Sequence, residues 1–227
     1  TISNTNDAPT IDSTAVIAVD EDSLYTYTVV ASDVDANDGM TLSVTSTLPT
    51  WLSFDANTGV LSGTPLNAHV GTQSVTVQAE DTAGATATQT FTITISNTND
   101  APTIDSTAVT AIDEDSSYLY TVTASDVDVG DNVALSATIP SSSTWLTFEP
   151  STGKLTGTPA NGDVGTHSIT VTATDDAGDT GSQTFTITVA NTNDAPTISS
   201  TAVTAVDEDS LYTYTVTGDD VDANDGM

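Results

Sequence analysis

The sequence predicts an all-β protein made of tandem seven-stranded Greek-key β-sandwiches strung in a linear array. Three features predict it. Apolar residues alternate with threonine at a period of two, turn residues separate the runs, and the whole pattern returns after 93 and then 94 residues.

The strands can be taken in order along the first repeat. Leu24 to Ala31 puts Tyr25, Tyr27 and Val29 on one face and Thr26 and Thr28 on the other, as expected of a strand buried on one side. Thr41 to Val44 and Val60 to Ser62 give shorter strands. Ser74-Val75-Thr76-Val77-Gln78-Ala79 and Thr90-Phe91-Thr92-Ile93-Thr94-Ile95 alternate strictly. Between the strands, Asn57-Thr58-Gly59 and its counterpart Ser151-Thr152-Gly153 supply a residue free to take positive φ, and Gly84 and Gly178 mark a later hairpin. Trp51-Leu52-Ser53-Phe54 and Trp145-Leu146-Thr147-Phe148 are apolar enough to fill the core. About seven short strands in some ninety residues, with no helical period, point to a sandwich.

The repeat is read from Asn6-Asp7-Ala8-Pro9-Thr10-Ile11, which returns as Asn99-Asp100-Ala101-Pro102-Thr103-Ile104 and Asn193-Asp194-Ala195-Pro196-Thr197-Ile198. Of the 34 positions from Asp7 to Met40, 29 are identical in Asp194 to Met227, so one module is duplicated in tandem. The expected division is the end of a preceding repeat and linker at 1–6, repeat one at 7–99, repeat two at 100–193, and the N-terminal part of a third at 194–227. Thr1-Ile2-Ser3-Asn4 matches Thr94-Ile95-Ser96-Asn97, and the chain stops where repeat one continues. Both ends are therefore expected to be cut, and the third unit to be poorly ordered because it lacks a partner sheet.

There are 32 acidic residues against one lysine, Lys154, giving a formal charge of -31. Nucleic acid and anionic membrane surfaces are excluded as partners, since both require clustered Lys and Arg. A folded domain this acidic repels itself unless cations sit among its carboxylates. Cysteine is absent, which removes disulfides, thiol catalysis and Cys-ligated zinc. No apolar run is long enough to span a membrane, and no basic n-region precedes an apolar stretch.

The acidic residues recur in four motifs per repeat, each beside a strand end. Repeat two carries Asn97-Thr98-Asn99-Asp100 in the linker, Asp113-Glu114-Asp115 before the second strand, Asp126-Val127-Asp128 after it, and Asp175 at the end of Ser168 to Thr174. This donor set suits a hard cation: calcium takes six to eight oxygens from carboxylates, amides and backbone carbonyls. An EF-hand reading of Asp33-Val34-Asp35-Ala36-Asn37-Asp38-Gly39 fails. The sixth and twelfth positions are Asp38 and Val44 rather than Gly and Glu, and no helices flank the loop.

In this order the motifs resemble those of cadherin repeats, and specifically the dystroglycan-type cadherin-like domains of large bacterial surface adhesins; the resemblance covers the whole chain. It implies Ca2+ as cofactor and an Ig-like, cadherin-like sandwich. At the first linker it implies Glu21, Asn97, Asn99, Asp100, Asp126, Asp128 and Asp175 as ligands. At the second it implies Glu114, Asn193, Asp194, Asp220 and Asp222, and in the N-terminal half-site Asn6, Asp7, Asp33, Asp35 and Asp81. The cadherin Asp-Arg-Glu motif has no match: the equivalent stretches read Pro65-Leu66-Asn67-Ala68-His69-Val70-Gly71 and Pro159-Ala160-Asn161-Gly162-Asp163-Val164-Gly165. Fewer cations per linker are therefore expected, with Asp163 a partial substitute.

These features predict a calcium-binding structural or adhesive repeat region of an extracellular or cell-surface protein. Its partners would be neighbouring repeats of the same chain together with cell-surface proteins or polysaccharide. An enzyme is not expected, because every acidic cluster is duplicated with the repeat and no nucleophile–base pair exists; His69 and His167 have Asp163 and Gln73 as counterparts and read as surface residues. The alternative is a carbohydrate-binding module of a secreted polysaccharide-active protein, with Trp51 and Trp145 as sugar platforms if exposed.

Overall fold

The computed structural model describes residues 5–35 and 39–222; the Thr1–Asn4 match to a preceding repeat, the loop residue Asp38 and the last five residues lie outside them. The chain divides into two units, Thr1–Asn99 and Asp100–Met227. In the first, β2 (Ala18–Asp20), β9 (Thr86–Ser96), β8 (Gly71–Glu80) and β5 (Thr41–Val44) form one sheet in that order. β3 (Tyr25–Thr28), β7 (Val60–Gly63) and β6 (Leu52–Asp55) form the other, and β1 (Thr10–Ile11) pairs with β4 (Ala31–Ser32). The unit thus has a four-stranded sheet facing a three-stranded one, seven strands in all, with the short β1–β4 pair beside them. β2 runs parallel to β9 while every other pair is antiparallel.

The period of two becomes burial directly. Tyr25, Tyr27, Val29, Leu61, Val75, Val77, Ile93 and Ile95 close the core between the sheets, and each side chain of this size contributes roughly 1.5–3 kcal/mol by leaving water. Threonine and serine take the outer positions, where Thr76 and Thr90 lie cross-strand with their hydroxyls 2.9 Å apart. The tyrosines also carry polar ties. The Tyr27 hydroxyl donates to Gln89 Oε1 at 2.7 Å, and Gln89 Nε2 donates to the Ser13 carbonyl at 2.9 Å, so the bend after β1 is tied to both sheets. Gly59 takes φ 71°, and a Cβ there would lie 2.6 Å from the Val29 carbonyl oxygen, so the turn accepts only glycine.

The second unit repeats the plan. β11 (Ala111–Asp113), β18 (Thr180–Ala190), β17 (Gly165–Thr174) and β14 (Ala134–Thr138) form one sheet. β12 (Tyr118–Thr121), β16 (Lys154–Gly157) and β15 (Leu146–Glu149) form the other, with β10 (Thr103–Ile104) on β13 (Ala124–Ser125). In the third segment, among the described residues, only β19 (Thr197–Ile198) and β20 (Gly218–Asp219) pair. Tyr212 keeps the hydrogen bond to Val203 that its counterparts make, at 2.9 Å, yet it is 49% exposed where Tyr25 and Tyr118 are each 1% exposed.

His167 departs from the expected surface position: it is buried. Its Nδ1 lies 2.8 Å from Ser143 Oγ and its Nε2 2.7 Å from the Asp163 carbonyl. Position 167 faces inward on β17, and the imidazole is tolerated because both ring nitrogens find partners. The indoles are not open platforms. Trp51 and Trp145 are half-buried against the two cores and meet Tyr25 and Tyr118 edge to face, so neither indole stands fully exposed.

Candidate metal centre

A single local device recurs three times in the acidic motifs. In each Asp-x-Asp pair the first carboxylate accepts the N–H of the second residue: Asp33 from Asp35 at 2.8 Å, Asp126 from Asp128 at 2.9 Å and Asp220 from Asp222 at 3.0 Å. The second carboxylate then accepts the N–H of the aspartate preceding Ala-Pro: Asp35 from Asp7, Asp128 from Asp100 and Asp222 from Asp194, each at 2.7 Å. Aspartate favours such local turns because its short side chain reaches backbone two residues on. The effect is to lock like charges together, and it leaves Asp33 Oδ2 and Asp126 Oδ2 buried with no hydrogen-bond partner.

In the first unit the N-terminal half-site gathers Asn6, Asp7, Asp33, Asp35 and Asp81. Asn6 Nδ2 donates to Asp81 Oδ2 at 2.9 Å and Ala85 N to Asp81 Oδ1 at 2.8 Å. The Asn6 amide is the main cause that holds the Asp81 carboxyl below its usual range, helped by the backbone N–H groups of residues 83 to 85 and opposed by burial. At the other end of this unit, Asn97 and Asn99 are exposed.

Glu21 and Glu114 are placed by the Asp-Glu-Asp turns that follow β2 and β11. Asp22 and Asp115 sit at φ 57° and 60°, a left-handed conformation that aspartate tolerates better than most residues. Each donates its N–H to a proline carbonyl, Pro65 or Pro159, at 2.8 Å. The turn drives the glutamate inward, where it is 1% exposed at Glu21 and 2% at Glu114. One oxygen of each accepts a linker N–H, from Thr98 at 2.9 Å and from Thr192 at 2.6 Å. The other, Oε2, is buried without a partner in both. An ionised oxygen in that state costs free energy unless a cation meets it.

In the second unit, Asp126, Asp131 and Asp175 bring one carboxylate oxygen each within 4.8 Å of one another. Asp175 is itself oriented by the N–H groups of Gly178 and Asp179 at 2.6 and 2.8 Å. Burial, and then the charges of Asp126, Asp176, Asp128 and Asp175, push the Asp131 carboxyl up. Spacing alone did not single out Asp131. Its signal is the last acidic position of the loop opened by Asp126-x-Asp128, the place of Asp38 in repeat one.

At the second linker backbone N–H bonds join Asp194, Asp220 and Asp222, and Glu114 is tied to the linker through the Thr192 N–H, while the Asn193 amide turns back to the Asp194 carbonyl at 2.8 Å. Two amides not assigned to this linker from sequence lie there: Asn191 Nδ2, at the position that Asn97 holds in the first linker, and Asn161 Nδ2 are each 3.1 Å from Asp222 Oδ1. Foremost the Asp194 N–H, and then these amides, hold the Asp222 carboxyl low against the effect of burial. Asp163 stays within its own turn. Its Oδ2 accepts the Ala160 N–H at 3.0 Å and closes its own turn, so the residue that reaches the linker from this stretch is Asn161.

Buried, partnerless carboxylate oxygens beside amides and backbone carbonyls match the donor set of a hard divalent cation. Fold and motifs together define a class, tandem Ig-like sandwich repeats joined by acidic linkers. The chain belongs to the He_PIG family, described as "Putative Ig domain", which matches residues 8–96 and 101–190. A curated relative, the serine-rich adhesin for platelets of Staphylococcus aureus strain MSSA476, is 34% identical over 153 residues; the match covers 66% of this chain and 6% of the relative. Among solved structures, the protocadherin GammaB4 extracellular domain aligns at a TM-score of 0.56 and 21% identity, covering 98% of this chain and 39% of that one. Human protocadherin-24 EC1-2 aligns at 0.52 and 18%, covering 81% and 99%. These two likenesses show the fold.

Proposed function

We propose that the chain is a calcium-stiffened spacer from an extracellular or cell-surface adhesin, its repeats of the dystroglycan-type cadherin-like kind. The observation that carries the reading is Glu114: a carboxylate 2% exposed, with one oxygen on the Thr192 N–H and the other buried and partnerless. Calcium at the acidic linkers offsets part of the charge of -31 where the carboxylates crowd together and holds successive repeats in one orientation, since small inter-domain contacts alone permit motion. The match to a staphylococcal adhesin supports a place at the cell surface. Partners are then neighbouring repeats and whatever protein or polysaccharide the adhesive part of the molecule meets.

The test is calcium titration of the chain by calorimetry, with Asp126→Ala/Asp128→Ala as control, alongside hydrodynamic radius and limited proteolysis with and without chelator. Saturable binding lost in the control, with a larger radius and faster cleavage after chelation, is expected. A chain indifferent to millimolar calcium in all three measurements refutes the reading.

A further inference from the structure

Asn161 lies outside the linker and outside every acidic motif, on a short 3-10 turn, Asn161–Asp163, between β16 and β17. Even so, its side chain reaches the centre of the second linker, with Nδ2 3.1 Å from Asp222 Oδ1 and 3.5 Å from Asp194 Oδ2. Asn191 Nδ2 approaches the same Asp222 oxygen from the other side, also at 3.1 Å. The Asp222 carboxylate, 8% exposed, is therefore covered by donors on both oxygens, since Oδ2 accepts the Asp194 N–H. No cation can reach Oδ1 while both amides donate to it. Glu114 presents the opposite case: it is bonded to the linker residue Thr192 through one oxygen and partnerless through the other.

An asparagine can resolve the conflict that a lysine or arginine could not. Its amide presents two N–H donors on one side and a carbonyl oxygen on the other, so a half-turn about the last side-chain bond exchanges a donor for a calcium ligand. Resting on the calcium reading above, we propose that Asn161 and Asn191 form an exchangeable amide clamp. Without calcium the amides stand in for the cation by donating to Asp222, and with calcium they turn and ligate the ion through Oδ1. Asn161 thereby does in this chain what an acidic motif would do from the same stretch, and it does so without adding charge to the empty site. The same use of an amide occurs in the first unit, where Asn6 donates to the buried carboxylate of Asp81.

The clamp makes two opposed demands on residue 161, which variants separate. Asn161→Asp removes the donor and adds a charged ligand; calcium should bind that site about tenfold or more tightly, while the chelated protein should melt earlier than wild type. Asn161→Ala removes both donor and ligand, so affinity and chelated melting temperature should both fall. The full chain is titrated with calcium chloride by calorimetry, melted in chelator, and followed by the side-chain amide signals of Asn161 and Asn191 in heteronuclear NMR, assigned from the corresponding variants. Both pairs of amide signals are expected to move in step with calcium occupancy. If wild type binds calcium but both variants bind it within twofold of wild type, or if the amide signals stay still, the clamp is overturned and the calcium reading stands. If wild type binds no calcium, both are overturned; the melts in chelator then show only whether Asn161 is a donor to Asp222.

Discussion

Glu114→Gln should invert its effect on stability according to whether calcium is present. In chelator, wild type holds a carboxylate that is 2% exposed, makes one hydrogen bond to Thr192 N at 2.6 Å and leaves Oε2 unmet. Glutamine keeps the acceptor for Thr192 and replaces an unmet charge with an unmet neutral amide. Because stranding a charged group costs more than stranding a neutral one, the variant should gain about 1 kcal/mol, or roughly 2–4 °C in melting temperature for a chain of this size. In calcium at a hundredfold excess over Kd, wild type gains about 2.7 kcal/mol by mass action. If losing the charged ligand weakens binding about a hundredfold, the variant gains only about 0.4 kcal/mol. Wild type should then melt higher by roughly 1 kcal/mol, reversing the order seen in chelator. Differential scanning calorimetry under both conditions reads this directly. A variant destabilised equally with and without calcium would show that Glu114 is merely a structural tie to the linker and would refute the reasoning.

Other outcomes follow from the same geometry. Asp131 has its carboxyl pushed up by burial and by neighbouring aspartates, so its contribution is favourable while protonated and is lost as pH rises through its folded pKa. Asp131→Asn should therefore raise the melting temperature of the chelated protein at neutral pH and lower it in saturating calcium, as read by calorimetry. Burial, and then Tyr120, pushes the Tyr118 hydroxyl up to about 12, and Tyr25 is raised for the same reason, with Tyr27 as its neighbour. In ultraviolet titration both should stay protonated above pH 10, the ordinary value for tyrosine, and stability should fall as pH rises above that value, because the unfolded chain gives up those protons first. Gly157→Ala would put a Cβ 2.0 Å from the Trp145 carbonyl oxygen. It should cost about 3 kcal/mol or more in denaturant unfolding through forced displacement of β15, whereas Gly162→Ala, with nothing within 4 Å, should cost far less.

Which side chains face inward was legible because a strand alternates faces at every residue: Tyr25, Tyr27 and Val29 are buried and Thr26 and Thr28 are not. His167 was misjudged because its counterpart Gln73 is polar, and pattern alone does not reveal that Ser143 waits to partner the ring. The acidic motifs could be singled out as candidate ligands from composition and order, since like charges this dense call for a cation. Asn161 could not, because thirty residues and a long hairpin separate it from the linker it touches. Asparagine in a turn is also common enough that its presence there carries no signal.

What the chain determines locally is set by short-range rules: the alternation that makes strands, the glycines that make turns, and the Asp-x-Asp geometry in which one carboxylate captures the backbone N–H two residues on. The tertiary structure decided which distant groups meet at the end of each unit. It turned Glu114 inward with one oxygen unmet, and it set the Asn161 amide against Asp222. Those outcomes depend on how the sheets close around the core, and closure is a property of the packed whole that no window of sequence contains.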